Sequence, residues 1–132
     1  GEDVLTKAPI AASSVADSIV AGLPADRLKA MRAVKFTEGG FVEVSDDEIL
    51  AAIPAMARQT GVFAEPAAAA AYAGLVGAIA EDLLAPEDRV VILSTGTGLK
   101  DAPAAMRGVA SVGIEGTVIE PSLDAVERAM AD

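Results

Sequence analysis

The spacing of apolar residues along the chain predicts a series of amphipathic helices. In residues 13–20, Val15 and Ile19 recur at helical spacing, and Gly22 with Pro24 then interrupts the pattern. A second helix is predicted to begin at Pro24, because proline suits a first helical position and apolar residues recur at three-residue steps beyond it. Its apolar positions are Leu28, Met31 and Val34.

The helix with the strongest local signals follows Ser45. Ser45 and Glu48 have the spacing of a capping box, and Gly61 is a typical stop signal after the helix. The apolar stripe between them consists of Ile49, Leu50, Ile53, Met56 and Ala57. This pattern predicts a helix with one buried face.

Three further helices are predicted downstream. Residues 67–84 contain so much alanine that helix propensity alone favours a helix. A short helix is predicted from Pro103 to Arg107, and Ser122 caps a last helix. The inward positions of that last helix are predicted to be Leu123, Val126 and Met130.

Three short segments have the composition of strands, namely residues 41–44, 89–93 and 117–120. Residues 89–93 include a continuous apolar run, which is typical of a parallel strand covered on both faces. Helices alternating with strands predict an α/β fold, with helices packed on a short, mostly parallel sheet. An independent domain would have more strands, so we expect a piece of a larger sheet.

Composition excludes several classes of function. The net charge is −10 and aromatic residues make up 3% of the chain, which argues against a nucleic-acid surface. Cysteine and histidine are both absent, which excludes a typical zinc site and a Ser-His-Asp triad. No apolar run is long enough for a membrane span, and the start lacks a basic signal region. We therefore expect a cytoplasmic protein without metal, membrane or nucleic acid.

The loop at residues 94–98 (STGTG) directly follows the predicted buried strand. In open α/β sheets, ligands bind beyond the carboxyl ends of strands, where glycine lets the backbone approach closely. The same residues are also favoured in an ordinary turn, so from the residues alone both interpretations stay open. The loop is neither a Walker A loop nor a dinucleotide fingerprint.

A second candidate is Glu65, which immediately precedes Pro66 at a predicted helix start. The ordinary interpretation is that the carboxylate favours the positive end of the helix dipole and that the proline fits the first turn. A ligand-site carboxylate is the alternative interpretation.

Taken together, the two segments resemble the C-terminal region of the threonine synthase family, within the tryptophan-synthase-β-like enzymes that use pyridoxal phosphate. Residues 61–70 (GVFAEPAAAA) are similar to the family pattern G-x-F-x-E-P-A-x-A, and residues 95–101 (TGTGLKD) to T-G-x-G-L-K-D. Residues 15–19 (VADSI) and 39–49 (GGFVEVSDDEI) also resemble the family, so the resemblance covers nearly the whole chain.

By this resemblance, Thr95 matches the hydroxyl residue that hydrogen-bonds the pyridine nitrogen of pyridoxal phosphate. Gly96 and Gly98 would let the backbone pass close to the ring, and Glu65 matches a supporting carboxylate near the cofactor. The cofactor-binding residues are therefore predicted to be Thr95, Gly96, Gly98 and Glu65.

Two departures from the family pattern limit the prediction. Thr97 stands where the family usually has histidine or asparagine. Nothing in the chain resembles the Schiff-base lysine segment or the glycine-rich phosphate cup, and Lys100 is flanked differently. Residues 1–132 are thus expected to be one piece, the C-terminal part of the large domain, without catalytic residues and inactive alone.

The resemblance implies conversion of O-phospho-L-homoserine and water to L-threonine and phosphate, by a homodimer completed by the rest of the enzyme. Another pyridoxal-phosphate lyase, of the threonine dehydratase or serine racemase type, is an alternative within the same architecture. A non-catalytic anion-binding or oligomerisation domain is an alternative from another class.

Overall fold

The computed structural model describes residues 6–114 and 118–131, which form helices joined by irregular segments. The helices are α1 (Arg27–Phe36), α2 (Asp46–Thr60), α3 (Pro66–Ala80), α4 (Ala102–Ser111) and α5 (Leu123–Ala131). Two single turns of 3₁₀ helix lie at Asp17–Ile19 and Gly98–Lys100. Within the described residues, bridge pairing is confined to an isolated antiparallel bridge between Ala64 and Thr97.

Helix α2 begins and ends where its local signals predict. The Glu48 N–H donates to Ser45 Oγ at 3.3 Å, and the Ser45 N–H donates to Glu48 Oε2 at 2.6 Å, which completes the capping box. At the other end Gly61 adopts the left-handed conformation with φ 75°, and its N–H donates to the carbonyl of Ala57. The predicted helix is confirmed.

The core lies mainly between α2 and α3 and is built of small side chains. Ile53, 1% exposed, is the largest fully buried residue among those described. Alanines 67–69 and Ala73 supply the facing surface of α3, so the two helices pack closely. The buried members of this core are Ala16, Ile49, Ala52, Ile53, Met56, Ala64, Ala67, Ala68, Ala69 and Ala73.

Helix α4 also packs against α2, using Ala104, Ala105 and Gly108 as its buried positions. A side chain at residue 108 would place its Cβ 2.7 Å from the backbone carbonyl oxygen of Leu50, so this approach requires glycine. The Asp101 carboxylate accepts from the Ala104 N–H at 3.0 Å and caps the helix. The predicted helix at 103–107 is confirmed and is longer than predicted.

The predicted strands are not present in the described residues. Residues 41–44 and 89–93 form no β-ladder, and residues 118–120 form none either, while Thr117 lies outside the described residues. Val91 is 85% exposed and Leu93 75% exposed, although burial on both faces was predicted. A strand needs a hydrogen-bonded neighbour, and the described residues bring no second extended segment alongside these. The predicted sheet is therefore not confirmed.

Three helix predictions also need correction. Residues 13–20 contain only the turn at 17–19, and α3 ends at Ala80 rather than at residue 84. In α5 the predicted inward residues Leu123 and Met130 are 73% and 82% exposed, and Ala125 is buried instead. Because periodicity shows only which residues share a face, the packing of that face depends on the neighbours present.

Among the described helices, none combines the length and the apolar character required to cross a membrane.

Candidate cofactor site

Two segments that are distant in sequence lie side by side in the structure. The Glu65 N–H donates to the carbonyl of Gly96 at 3.1 Å, and the Gly98 N–H donates to the carbonyl of Phe63 at 3.0 Å. The antiparallel bridge between Ala64 and Thr97 lies between these two hydrogen bonds. The two candidate segments of the sequence therefore belong to one site.

The start of α3 makes this pairing possible. Glu65 is the residue before the helix and has extended backbone angles of φ −70° and ψ 163°, while Pro66 occupies the first turn. An extended residue before a proline is the favoured local conformation, and it leaves the Glu65 N–H free to pair with another segment. Ala64 is fully buried beside it.

The Glu65 side chain is buried and ion-paired. Its residue is 6% exposed, and Oε2 lies 3.0 Å from Lys100 Nζ. The carboxylate makes no side-chain hydrogen bond to the N-terminal N–H groups of α3. Its other oxygen, Oε1, overlaps the position that a Cβ atom on residue 96 would take, so Gly96 is required where the carboxylate lies.

An open cavity of ≈ 340 Å³ borders the two paired segments. Its lining residues are Val62, Phe63, Ser94, Thr95, Gly96 and Thr97. Ser94, Thr95 and Thr97 are exposed, and the Thr97 hydroxyl accepts from the Leu99 N–H at 3.4 Å. Within the described part of the chain, the side-chain hydroxyls of Ser94 and Thr95 have no hydrogen-bond partner, so both are available to a ligand.

The four predicted site residues separate into two layers. Thr95 and Gly96 line the cavity. Glu65 and Gly98 are buried behind them, and a Cβ atom on residue 98 would overlap the ring of Phe63. The cavity is therefore faced by the loop, and Glu65 and Gly98 support that loop from behind.

Sequence reasoning missed the role of Lys100 as the partner of Glu65. In the sequence, Lys100 belongs to the T-G-x-G-L-K-D pattern and is flanked differently from a Schiff-base lysine, and neither feature indicates an ion pair. The available signal was its opposite charge, two residues beyond Gly98, in the loop that the resemblance assigns to the same cofactor site as Glu65.

The family profile described as "Pyridoxal-phosphate dependent enzyme" matches residues 2–96, which is more than half of the chain. The chain belongs to this pyridoxal-phosphate-dependent enzyme family. Family membership implies the tryptophan-synthase-β-like fold and pyridoxal phosphate as the cofactor. The matched range includes Glu65 and ends with Thr95 and Gly96.

Several curated relatives in this enzyme family are named threonine synthase. The chain is 43% identical over 99 residues to threonine synthase of Mycobacterium bovis, covering 75% of this chain and 28% of that protein. It is 40% identical over 95 residues to the Methanocaldococcus jannaschii protein, covering 71% and 23% respectively. It is 36% identical over 117 residues to the Methanosarcina acetivorans protein, covering 89% of this chain and 28% of that protein. The chain thus spans about a quarter of the length of these relatives.

The residues at the cavity are compatible with one side of a pyridoxal phosphate site. A pyridine ring needs a flat surface and a hydrogen-bonding group near its nitrogen. Gly96 has no side chain to obstruct the ring, and the unpartnered hydroxyls of Ser94 and Thr95 lie at the same cavity. These residues therefore fit a heteroaromatic ring such as that of the cofactor.

Proposed function

We propose that residues 63–65 and 94–100 form the pyridine-nitrogen side of the cofactor site of a threonine synthase. The enzyme would convert O-phospho-L-homoserine and water to L-threonine and phosphate. The observation that carries this proposal is the pairing of residues 63–65 with 96–98, which holds Thr95 at an open cavity. Relatives named threonine synthase, 36–43% identical to this chain, support the choice of reaction.

Bound pyridoxal phosphate would act as an electron sink for bonds around the amino-acid α carbon. Thr95 Oγ1 would donate a hydrogen bond to the pyridine nitrogen, leaving the nitrogen unprotonated, unlike a carboxylate partner. Gly96 would keep the loop surface clear beside the ring. Glu65 would support this loop from behind rather than transfer a proton, because its carboxylate is buried and ion-paired.

The remaining parts of the site would come from elsewhere in the same enzyme. We propose that residues 1–132 are a C-terminal part, and that the Schiff-base lysine and the phosphate cup belong to the part that precedes it. Residues 89–93 would then pair with strands of that part, in a mostly parallel sheet. A homodimer, a cytoplasmic location and the absence of membrane or nucleic-acid partners are further predictions of this proposal.

The test is an assay of the complete enzyme encoded by the reading frame that carries these residues. We expect phosphate release from O-phospho-L-homoserine with equal formation of L-threonine. Formation of 2-oxobutanoate from L-threonine, without the first reaction, would instead assign a dehydratase. A complete protein that binds no pyridoxal phosphate would refute the proposal as a whole.

The Thr95→Val variant tests the assigned role of the hydroxyl. Loss of one neutral hydrogen bond should weaken pyridoxal phosphate binding by about 3- to 10-fold. Thr37→Val is the matched control, because Thr37 is also exposed and donates its hydroxyl only to carbonyls of its own helix. If the two variants bound pyridoxal phosphate with equal affinity, Thr95 would not be a cofactor-binding residue.

A further inference from the structure

The ion pair between Glu65 and Lys100 is asymmetric in its exposure. The side chain of Glu65 is 8% exposed, whereas that of Lys100 is 60% exposed. A buried carboxylate is costly without a partner, because it has lost its hydration. Among the described residues, the cation within ion-pair distance of Glu65 is Lys100. The burial of this carboxylate therefore depends on a lysine at the surface.

The backbone around Lys100 connects the ion pair to the cavity. The Lys100 N–H donates to the carbonyl of Thr97 at 3.1 Å and closes the 3₁₀ turn at Gly98–Lys100. The Gly96 carbonyl, in the residue directly after Thr95, accepts from the Glu65 N–H. A short segment thus joins Lys100 to Thr95. Glu65 contacts this segment at Lys100 through its side chain and at Gly96 through its backbone.

The carboxylate of Glu65 also fills space under the loop. It lies where a side chain on residue 96 would be, in contact with the loop backbone next to Thr95. If the carboxylate turned towards water, the loop would lose this support from below. The position of Thr95 is therefore sensitive to whatever holds the carboxylate in place.

We propose that Lys100 is a positioning residue for pyridoxal phosphate binding. Its ammonium group holds the Glu65 carboxylate under Gly96, and this fixes the loop that presents the Thr95 hydroxyl to the cofactor. The inference rests on the proposed role of Thr95 in the cofactor site. Lys100 itself is assigned no contact with the cofactor and no part in proton transfer.

A second ion pair in the same chain provides a matched control. Lys29 Nζ lies 3.0 Å from Asp26 Oδ1, the same separation as in the Lys100 pair. Both of its side chains are exposed, at 83% and 75%. Exposed pairs of this kind contribute little, because water and salt screen them.

The experiment measures the dissociation constant of pyridoxal phosphate for the complete apoenzyme by fluorescence titration. Lys100→Met should weaken binding by about 10-fold, because it leaves a buried carboxylate without its partner. Lys100→Arg keeps the charge and should stay within about 3-fold of the parent enzyme. Lys29→Met should leave the constant unchanged. If Lys100→Met and Lys29→Met gave the same dissociation constant for pyridoxal phosphate, the inference would be overturned.

Combining Lys100→Met with Thr95→Val separates a positioning role from a general loss of stability. If Lys100 acts by placing Thr95, the two losses should be less than additive in free energy, with the double variant weakened by little more than the larger single loss, about 10-fold. A loss in the double variant equal to the product of the two single losses, about 30- to 100-fold, would contradict the proposal. An unchanged constant in Thr95→Val alone would refute the proposed role of Thr95 and this inference with it.

Lys100→Met could fail to fold, and the comparison is then made with the charge of Glu65 removed. Glu65→Gln and Glu65→Gln combined with Lys100→Met should differ by less than about 3-fold in the dissociation constant, because Lys100 then has no carboxylate to hold. A further loss of about 10-fold in the double variant would show that Lys100 acts on some other group, and would overturn the inference.

Discussion

At the scale of single residues, Glu65 and Gly96 are matched in shape. The carboxylate of Glu65 lies over the Cα atom of Gly96, and the backbone of one donates to the backbone of the other. The buried carboxylate of Glu65 thus occupies the space that a side chain on residue 96 would need. Lys100 binds this carboxylate from the surface with an ion pair of 3.0 Å.

Gly96→Ala should weaken cofactor binding, because the added methyl group overlaps the Glu65 carboxylate. Overpacking of this kind costs about 1–3 kcal/mol, so we expect pyridoxal phosphate to bind the complete enzyme about 10-fold more weakly. Gly40→Ala is the matched control, since a Cβ atom on residue 40 meets nothing within 4 Å. Adding Glu65→Ala should make room for the methyl group, so Gly96→Ala should then cause no further loss.

The residues of the site were only partly predictable from the sequence. Thr95 and Glu65 belong to short motifs with recognisable composition, so their place in one site could be predicted from the resemblance. The Lys100 ion pair depends on how the 3₁₀ turn at Gly98–Lys100 directs the side chain back towards α3. No local pattern encodes that direction, because it is set by the backbone hydrogen bonds between the two segments.

At the scale of elements, helices were predictable and strands were not. Helix α2 contains its own capping box and left-handed stop residue, and both form hydrogen bonds within a few residues. Residues 89–93 have the composition of a strand, but a strand requires a neighbour to accept its backbone hydrogen bonds. The described residues provide no such neighbour, and the segment lies outside the helices with Val91 and Leu93 exposed.

The capping box of α2 should make the free energy of unfolding depend on pH in the acidic range. The Ser45 N–H, and then the Ser45 hydroxyl, donate to the Glu48 carboxylate and lower the pKa of that group below its ordinary value of 4.5. The unfolded chain therefore binds more protons than the folded chain just below pH 4.5. The contribution of ionised Glu48 is present above this pH and is lost as the pH falls through the lowered folded pKa.

Glu48→Gln should accordingly lower the thermal unfolding midpoint near neutral pH and converge with the parent chain in acid. The measurement is helical circular dichroism of the 132-residue chain on heating, at steps from about pH 7 to about pH 3. Glu43 is exposed and lies outside the capping box, so the unfolding midpoint of Glu43→Gln should change with pH in the same way as that of the parent chain. A constant difference between Glu48→Gln and the parent at all pH values would contradict the proposed linkage.

At the scale of the whole molecule, much apolar surface is left uncovered. Phe36, Val91, Leu99, Val118 and Met130 are each more than 80% exposed. The chain spans about a quarter of the length of its threonine synthase relatives, and exposed apolar side chains are expected where the rest of such a protein would pack. We propose that these side chains would pack against the rest of the enzyme, including the strands that residues 89–93 would need.

The proposed division of the site between this chain and the rest of the enzyme predicts which lysine binds pyridoxal phosphate covalently. In the complete enzyme, borohydride reduction followed by peptide mapping should place the label on a lysine outside residues 1–132. Lys100 is a poor nucleophile for the cofactor aldehyde while its ammonium group is ion-paired with the buried Glu65 carboxylate. The 132-residue chain alone should therefore acquire no stoichiometric label, and Lys29→Met should label like the parent. One label per chain at Lys100, in either preparation, would show that the assigned roles of Lys100 and Glu65 are wrong.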